Sequence, residues 1–259
     1  MNMAAEQQYI DLFTQYEALI CQQSADILNA PRAKAFADFE RQGFPTRKQE
    51  KYKYTDVGKF FEPDYGLNLN RLEFPVNPYE VFKCDVPNMS TSLYFVVNDS
   101  FDKHVHPSAQ LPEGVIVGSL KDMAEAHPEL VKGYYGKLAD TSKDAVTAFN
   151  TMFAQDGVLV YIPKHTVVER PIQLVNILRA DVNFMVNRRI LIVLEAGAQA
   201  KMLSATMQWM RLIFCPHRLW KCLPVKELFL TSTNWRKRTT APYVSATFMS
   251  DRRQEAMCY

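Results

Sequence analysis

The sequence predicts a mainly β fold, a partial right-handed parallel β-helix that follows a helical N-terminal domain. The stretch 150–177 is the first indication, because its short β-branched strands are separated by only two or three punctuating residues. Strands of this kind suit a coil in which each strand lies on the one before. The fully apolar run Ile190–Leu194 is the second, since it is typical of a strand covered on both sides. Helical periodicity near the start of the chain is the third.

We divide the chain into a helical N-terminal domain (1–75), a mixed segment leading into the β-helix core (76–203) and an atypical tail (204–259). The tail differs sharply in composition from the rest. It holds nine Lys and Arg against three Asp and Glu, all three Trp and no Gly. Charge asymmetry of this kind usually indicates a tail that binds nucleic acid or a membrane, but we favour a different cause, given below.

Apolar residues at three- and four-residue spacing predict a first helix over Tyr9–Ile20 and a second from about Ala33 to Gly43. Thr46 and Gln49 have the spacing of a capping box, which predicts a short third helix. The charged residues that follow predict a solvated helix face with local ion pairs rather than a phosphate or nucleic-acid site. These residues are Arg47, Lys48, Glu50, Lys51 and Lys53.

After this region the sequence predicts short strands, with a helical segment over 119–138 between them. Asp144 is placed to cap a helix that ends near Phe153, and Pro171 is expected to interrupt the last strand. The predicted strands are Val81–Cys84, Leu93–Val97, Val115–Val117, Val158–Ile162, Thr166–Val168 and Ile172–Ile177.

Composition and motifs exclude several classes of function. No apolar run approaches the roughly 20 residues that cross a bilayer, and the first residues do not form a secretory signal. Five cysteines without a repeating spacing argue against a disulfide framework, so we expect a cytoplasmic protein. Glycine-rich nucleotide loops and the nucleophile motif of acyl-transfer enzymes are absent from the sequence. We therefore assign no catalytic, cofactor-binding or metal-binding residue.

Four groups of potential metal ligands were considered, and none is assigned as a metal site. His104 and His106 have the spacing of a chelating pair, but only Asp102 accompanies them, so a surface turn is the better interpretation. His165 is read as a loop residue. We expect Cys21 and Cys84 to be small buried apolar side chains. The set Cys215, His217 and Cys222 lacks a fourth ligand at a recognised spacing.

Two further segments join the stretch 150–177 in a family resemblance. Residues 43–55, GFPTRKQEKYKYT, are similar to the N-terminal signature of the SufB/SufD family of iron–sulfur cluster assembly proteins, with Tyr52 where the family usually has Trp. Residues 188–203, RRILIVLEAGAQAKML, are similar to later strands of its core. The resemblance covers most of 30–203, and the early position of the signature favours the SufD branch over SufB.

The resemblance implies a scaffold subunit rather than an enzyme. In the SufBCD complex, SufD binds SufB along the β-helix and binds the SufC ATPase through its C-terminal helices. The resemblance implies SufB-like and SufC-like partners, with no nucleic acid and no membrane. It also implies that this chain alone binds no cofactor. The Fe–S cluster is assembled transiently by the complex, and SufC uses the ATP.

Beyond Leu203 the resemblance ends, and the genetic code offers a reason. When one T is restored before the Ser204 codon, the shifted frame of Ser204–Met210 permits a peptide such as FCDHAMD, similar to a family continuation. We therefore predict that the tail is out of frame and does not complete the β-helix. We also expect this chain to bind SufC poorly. The rival interpretation is a genuine basic, aromatic tail that stacks on single-stranded nucleic acid.

The alternative function is a carbohydrate-active enzyme of the extracellular type, because right-handed β-helices also serve as polysaccharide lyases and hydrolases. Such enzymes place acidic residues on the solvent face of successive strands. The core region offers Glu169, Asp181 and Glu195, but no close carboxylate pair.

Overall fold

The computed structural model describes residues 5–63, 65–82, 90–104, 110–178, 184–208, 216–224 and 247–250. Helices are concentrated in the first half of these residues and strands in the second half. The helices are α1 (Ala5–Gln22), α2 (Asp26–Asn29), α3 (Arg32–Gln42), α4 (Val57–Phe61), α5 (Pro78–Val81), α6 (Leu120–Ala126), α7 (Pro128–Tyr134) and α8 (Ala145–Phe153). The strands are β1 (Gly66–Leu67), β2 (Ser92–Val97), β3 (Ser100–Phe101), β4 (Ile116–Ser119), β5 (Gly157–Ile162), β6 (Val167–Leu178), β7 (Phe184–Leu194), β8 (Gln199–Gln208), β9 (Pro216–Pro224) and β10 (Thr247–Ser250).

The strands form two sheets, and successive strands from β5 to β9 alternate between them. The first sheet, sheet A, has the order β10-β9-β7-β5-β4, and β1 pairs with one end of β7. The second, sheet B, has the order β3-β2-β6-β8. Strand β5 pairs in parallel with β7, and β6 pairs in parallel with β8. Each sheet carries an antiparallel strand at one edge, because β4 runs against β5 and β3 runs against β2.

The predicted fold class is wrong. The structure mixes helices and sheets, with about as many helical as strand residues, and the described residues form two open sheets rather than a closed solenoid. The physical reason lies in how the outer faces are buried. Leu159, Leu191 and Val193 face away from sheet B and are buried under Leu120 and Val131, from the helices α6 and α7. Sheet A therefore needs helices to cover its second apolar face, which alternation along a strand does not reveal.

Strand alternation divides the core between the sheets and their outer layers. Even-numbered side chains of β5 and β7, among them Val160 and Ile192, pack against Ile172 and Leu174 of sheet B. On the outer face of sheet B, Val175 and its neighbours pack under the segment 74–82. The run Ile190–Leu194 is buried on both faces, which confirms the prediction for it.

A second core joins the N-terminal helices to α8 through aromatic rings. The Tyr9 ring lies at the centre, 5.0 Å from the Phe149 ring and perpendicular to it. Edge-to-face and stacked contacts extend this cluster to other rings. The other rings are Phe13, Phe36, Phe39, Phe44, Phe61 and Phe153.

Several local predictions are confirmed and others are wrong. Both N-terminal helices form, and Asp144 caps α8 by accepting from the Val146 backbone N–H. The predicted capping box at Thr46 and Gln49 does not start an α-helix. A single 3₁₀ turn over Glu50–Tyr52 follows it instead.

In the strand region, Pro171 does not end a strand. Strand β6 continues through it with a register shift between Val168 and Ile172, which is how a sheet tolerates a missing donor. The predicted strand Val81–Cys84 begins at the end of α5, and Cys84 lies outside the described residues.

Beyond Leu203 the structure describes the end of β8, then β9 and β10. Strand β9 pairs in parallel with β7, and β10 with β9. The reading-frame prediction concerns the gene, so it stays a prediction. Among the described residues, no helix has both the length and the apolar character required to cross a bilayer.

Candidate functional site

A cleft of about 610 Å³ opens where the segment 71–76 passes β3 and the start of α6. Its lining mixes both signs of charge with apolar side chains. The charged and titratable residues of the lining are Arg71, Glu73, Asp102, Lys103, His104, Lys121, Asp122 and Asp156. The apolar wall includes Phe74, Val76 and Phe101.

The floor of the cleft is a buried ion-pair cluster. Arg71 donates from Nη2 to Asp156 Oδ2 at 2.8 Å, and its Nη1 lies 3.5 Å from Asp99 Oδ2. The remaining Asp156 oxygen accepts from the Ser119 hydroxyl and from the Lys121 backbone N–H, both at 2.9 Å. Asp156 therefore ties together the start of β5, the first turn of α6 and the loop that carries Arg71.

The cluster holds two carboxylates against one guanidinium. Burial raises the pKa of the Asp99 carboxyl, Arg71 opposes this by stabilising the charged form, and Asp156 adds to the rise. Arg71 adopts a left-handed backbone conformation with φ of 56°, which is unusual for a residue with a side chain. The surrounding hydrogen bonds hold this conformation in place, so the cluster is a built part of the fold.

A second buried polar cluster lies between α8 and β7. Arg189 donates from Nε and Nη2 to Asn150 Oδ1 at 3.1 and 2.9 Å, and from Nη2 to the Thr151 hydroxyl at 2.7 Å. Its guanidinium lies over the Tyr135 ring, 5.1 Å from the centroid. On the opposite face of β7, Arg188 donates to the Asn98 carbonyl and to Asn176 Oδ1. These arginines hold together the layers on both sides of sheet A.

Arg32 is a third fully buried arginine among the residues that the structure describes. Its guanidinium caps the C-terminal end of α8, where the helix dipole places partial negative charge. It donates to the carbonyls of Thr151, Met152 and Ala154, to the Ser24 hydroxyl and to Asn29 Oδ1.

Sequence reasoning missed these buried charged residues. Two signals were present in the sequence: an Arg188-Arg189 pair directly before an apolar run, and Asp156 directly before Gly157. A charged pair within a stretch that is otherwise strand-like indicates buried partners, since isolated charges are rarely buried. We assigned no role to the Asp156 side chain from the sequence, whereas the residue is 3% exposed and organises the cleft floor.

The candidate metal ligands that the structure describes do not form a metal site. Among the described residues, no group of three His, Cys, Asp or Glu side chains could hold a metal ion. His104 is exposed in a surface turn, in which its backbone N–H donates to Asp102 Oδ1 at 2.8 Å. His165 lies in the loop between β5 and β6 with φ of 58°. His106, Cys84 and Cys215 lie outside the described residues, while His217 and Cys222 lie on β9.

Of the three acidic residues considered for carbohydrate chemistry, the two that the structure describes lie on different elements. Glu169 is exposed on β6, whereas Glu195 follows β7 and accepts a hydrogen bond from the Tyr134 hydroxyl at 3.2 Å. Asp181 lies outside the described residues. Cys21, on α1, is partly buried, and this burial raises the pKa of its thiol and makes it a weaker nucleophile.

A family model for the SufBD protein N-terminal region matches residues 3–174, which run from the first helix into β6. The chain belongs to the SufB/SufD family. Among similar proteins is the iron-sulfur cluster assembly SufBD family protein ycf24 of Trieres chinensis, 27% identical over 187 residues. Another is the iron-sulfur cluster assembly SufBD family protein ABCI8, chloroplastic, of Arabidopsis thaliana, 28% identical over 153 residues. A third is the iron-sulfur cluster assembly protein SufD of Bacillus subtilis (strain 168), 31% identical over 115 residues.

These matches cover 67%, 54% and 43% of this chain, but only 38%, 27% and 25% of the respective relatives. The SufB/SufD relationship is therefore established for the N-terminal part. The signature segment 43–55 now has a physical role in this SufB/SufD chain. The Tyr52 hydroxyl donates to Asp144 Oδ1 at 2.7 Å and Lys51 Nζ lies 2.7 Å from the other oxygen, so the segment is fastened to the start of α8.

Proposed function

We propose that this chain is a scaffold subunit in iron–sulfur cluster assembly, acting with a SufB-like subunit and a SufC-like ATPase in the cytoplasm. The observation that carries the proposal is the family match over 3–174. The three relatives named above are iron–sulfur cluster assembly proteins by description. The cluster is the cargo of the complex, and ATP is used by the partner rather than by this chain.

The shape of sheet B supports an interaction role. Strand β8 is the last strand of the described sheet and pairs on one side with β6. A strand in this position can receive a partner strand by backbone hydrogen bonding, with alternate side chains adding specificity. Several charged side chains of the cleft form ion pairs with each other. Arg71 pairs with Asp156 at 2.8 Å, and Lys103 pairs with Asp122 at 2.6 Å. Such pairs favour a contact surface over acid–base catalysis, which needs a proton-transferring group within reach of a substrate.

Co-purification tests this proposal. The affinity-tagged chain is co-expressed with the SufB-like and SufC-like subunits of the same source. A matched chain, in which one T is restored before the Ser204 codon, serves as the comparison. We expect both versions to retain the SufB-like subunit, and only the restored version to retain the SufC-like subunit.

Failure of both versions to retain either subunit would contradict the scaffold role. Cleavage of an acidic polysaccharide by the purified chain would instead favour the carbohydrate enzyme. Because the same preparation serves both assays, the two functions are compared directly.

A further inference from the structure

Two buried hydrogen-bond donors near the start of β7 have no acceptor among the residues that the structure describes. Arg189 is 1% exposed, and its Nε and Nη2 bond to Asn150 and Thr151, but its Nη1 makes no hydrogen bond. Asn187 is 5% exposed, and its Nδ2 makes no hydrogen bond either. Buried polar groups are nearly always bonded, so two such donors in one cluster indicate a bound acceptor from outside the chain.

The two donors belong to one buried cluster, which we call the Arg189 site and define by Asn150, Asn187 and Arg189. Residues 187 and 189 are two positions apart on β7, so their side chains lie on the same face of sheet A. Asn150 of α8 contacts both, because it donates to Asn187 Oδ1 and accepts from Arg189 Nε. The buried Tyr135 ring covers the guanidinium, with its centroid 5.1 Å from Arg189 Cζ. The site therefore lies between β7, α8 and this ring.

The charge around the Arg189 site indicates which acceptor it takes. Arg32 and Arg189 both contact Thr151, the first at the carbonyl oxygen (3.0 Å) and the second at the hydroxyl (2.7 Å). Burial lowers the pKa of Arg32, and Arg189 acts in the same direction. The oxygens that accept from these two guanidiniums are neutral, and within the described part of the chain neither arginine forms an ion pair. Buried charges are normally paired, so this region favours a negative ligand.

A water molecule and a small anion are the two acceptors that such a site can hold. Water would accept from both donors, but it would leave the positive charge of the two arginines uncompensated. An anion satisfies the same donors and supplies the missing charge, and its hydrogen bonds are stronger because both partners of the arginine contact are charged. Protein interiors are close-packed, so a halide fits this setting better than phosphate or sulfate.

We propose that Arg189 Nη1 and Asn187 Nδ2 bind one buried chloride ion. The ion offsets the charge of two neighbouring arginines and links β7 to the end of α8, where both arginines are bonded. Its role is to stabilise the fold. The inference therefore goes beyond the scaffold function and does not depend on any partner subunit.

Thermal unfolding of the full chain tests the proposal when sodium chloride replaces sodium gluconate at constant ionic strength. Chloride that binds only the folded state stabilises it by mass action. For a dissociation constant of about 0.03 M, chloride at about 0.3 M should raise the unfolding midpoint by about 3–5 °C. An unfolding midpoint that does not rise with chloride would overturn the proposal.

Asn187→Asp locates the effect at the Arg189 site. This variant keeps the oxygen that accepts from Asn150 and replaces the unpartnered Nδ2 with a carboxylate oxygen, so the chain itself supplies the negative charge. Its unfolding midpoint should not change with chloride. Asn70→Asp adds the same charge at an exposed position and should keep the full dependence on chloride. Persistence of the chloride effect in Asn187→Asp would place the ion elsewhere and refute the site.

Crystals of the unmodified chain grown in sodium bromide give a second measurement that needs no variant. Bromide replaces chloride in most halide sites and scatters X-rays anomalously. We expect an anomalous peak in contact with Arg189 Nη1 and Asn187 Nδ2. Electron density at this position without an anomalous peak would identify a water molecule and overturn the anion.

Discussion

Replacing Arg32 with methionine should remove a large part of the stability of this protein. Arg32 is 1% exposed. The acceptors of its guanidinium hydrogen bonds are neutral oxygens. Three of these oxygens are backbone carbonyls at the end of α8, the helix at the centre of the aromatic core. They belong to Thr151, Met152 and Ala154, with distances of 3.0, 2.7 and 2.8 Å.

The expected magnitude follows from what the substitution leaves behind. Methionine fills most of the volume but donates nothing, so three buried carbonyls lose a charged donor. Each buried group left unsatisfied costs about 1–3 kcal/mol, and a water molecule entering the site would recover part of that. Burial itself lowers the pKa of Arg32, and nearby Arg189 acts in the same direction. Removing the charge therefore also removes the cost of desolvating it and its repulsion by Arg189. We therefore expect a loss near the lower end, about 3–4 kcal/mol out of a typical total of 5–15.

Urea unfolding followed by far-ultraviolet circular dichroism measures this loss. Arg41→Met is the matched control on the same helix, because its side chain is 62% exposed and its partner Asp38 keeps its contacts with Lys34 and Thr141. We expect the control to lose less than about 1 kcal/mol. A loss below about 1 kcal/mol for Arg32→Met, with an unchanged dependence on urea, would refute the reasoning.

Three other predictions follow from the structure and the sequence. Burial raises the pKa of Asp144, but hydrogen bonds from its lysine and tyrosine partners outweigh this and hold the folded-state pKa below the ordinary value. Asp144→Asn should therefore cost about 2–3 kcal/mol at pH 7. The difference should begin to shrink below pH of about 4, where the unfolded carboxylate is protonated, and should disappear as pH falls through the lower folded-state pKa. Gly157→Ala should prevent folding in expression trials, because an added Cβ would lie 1.6 Å from the Arg189 carbonyl oxygen, whereas Gly133→Ala meets nothing within 4 Å and should be tolerated. Sequencing of the source gene across codons 201–206 should show one additional T, and a clean read without it would disprove the shifted frame.

The sequence by itself determined the elements whose signals are local. Apolar periodicity located the two N-terminal helices, and an aspartate at the right offset located the start of α8. The continuous apolar run at Ile190–Leu194 identified a strand buried on both faces. Three sequence segments were enough for the SufB/SufD resemblance, which the match over 3–174 confirms. Each of these signals is contained within a few consecutive residues, so no knowledge of distant contacts was needed.

Only the tertiary structure decided the architecture and the buried charges. Alternating apolar residues indicate that a strand has a buried face, but they do not indicate whether a sheet or a helix covers that face. The helical segment over 119–138 was predicted, but its position over the outer face of sheet A was not, and the mainly β prediction was wrong. We assigned no buried role to Arg71, Arg189 or Asp156 from the sequence, because their partners lie 28 to 85 positions away in the chain. A charge can be buried only where such partners converge, and that convergence exists only in the folded molecule.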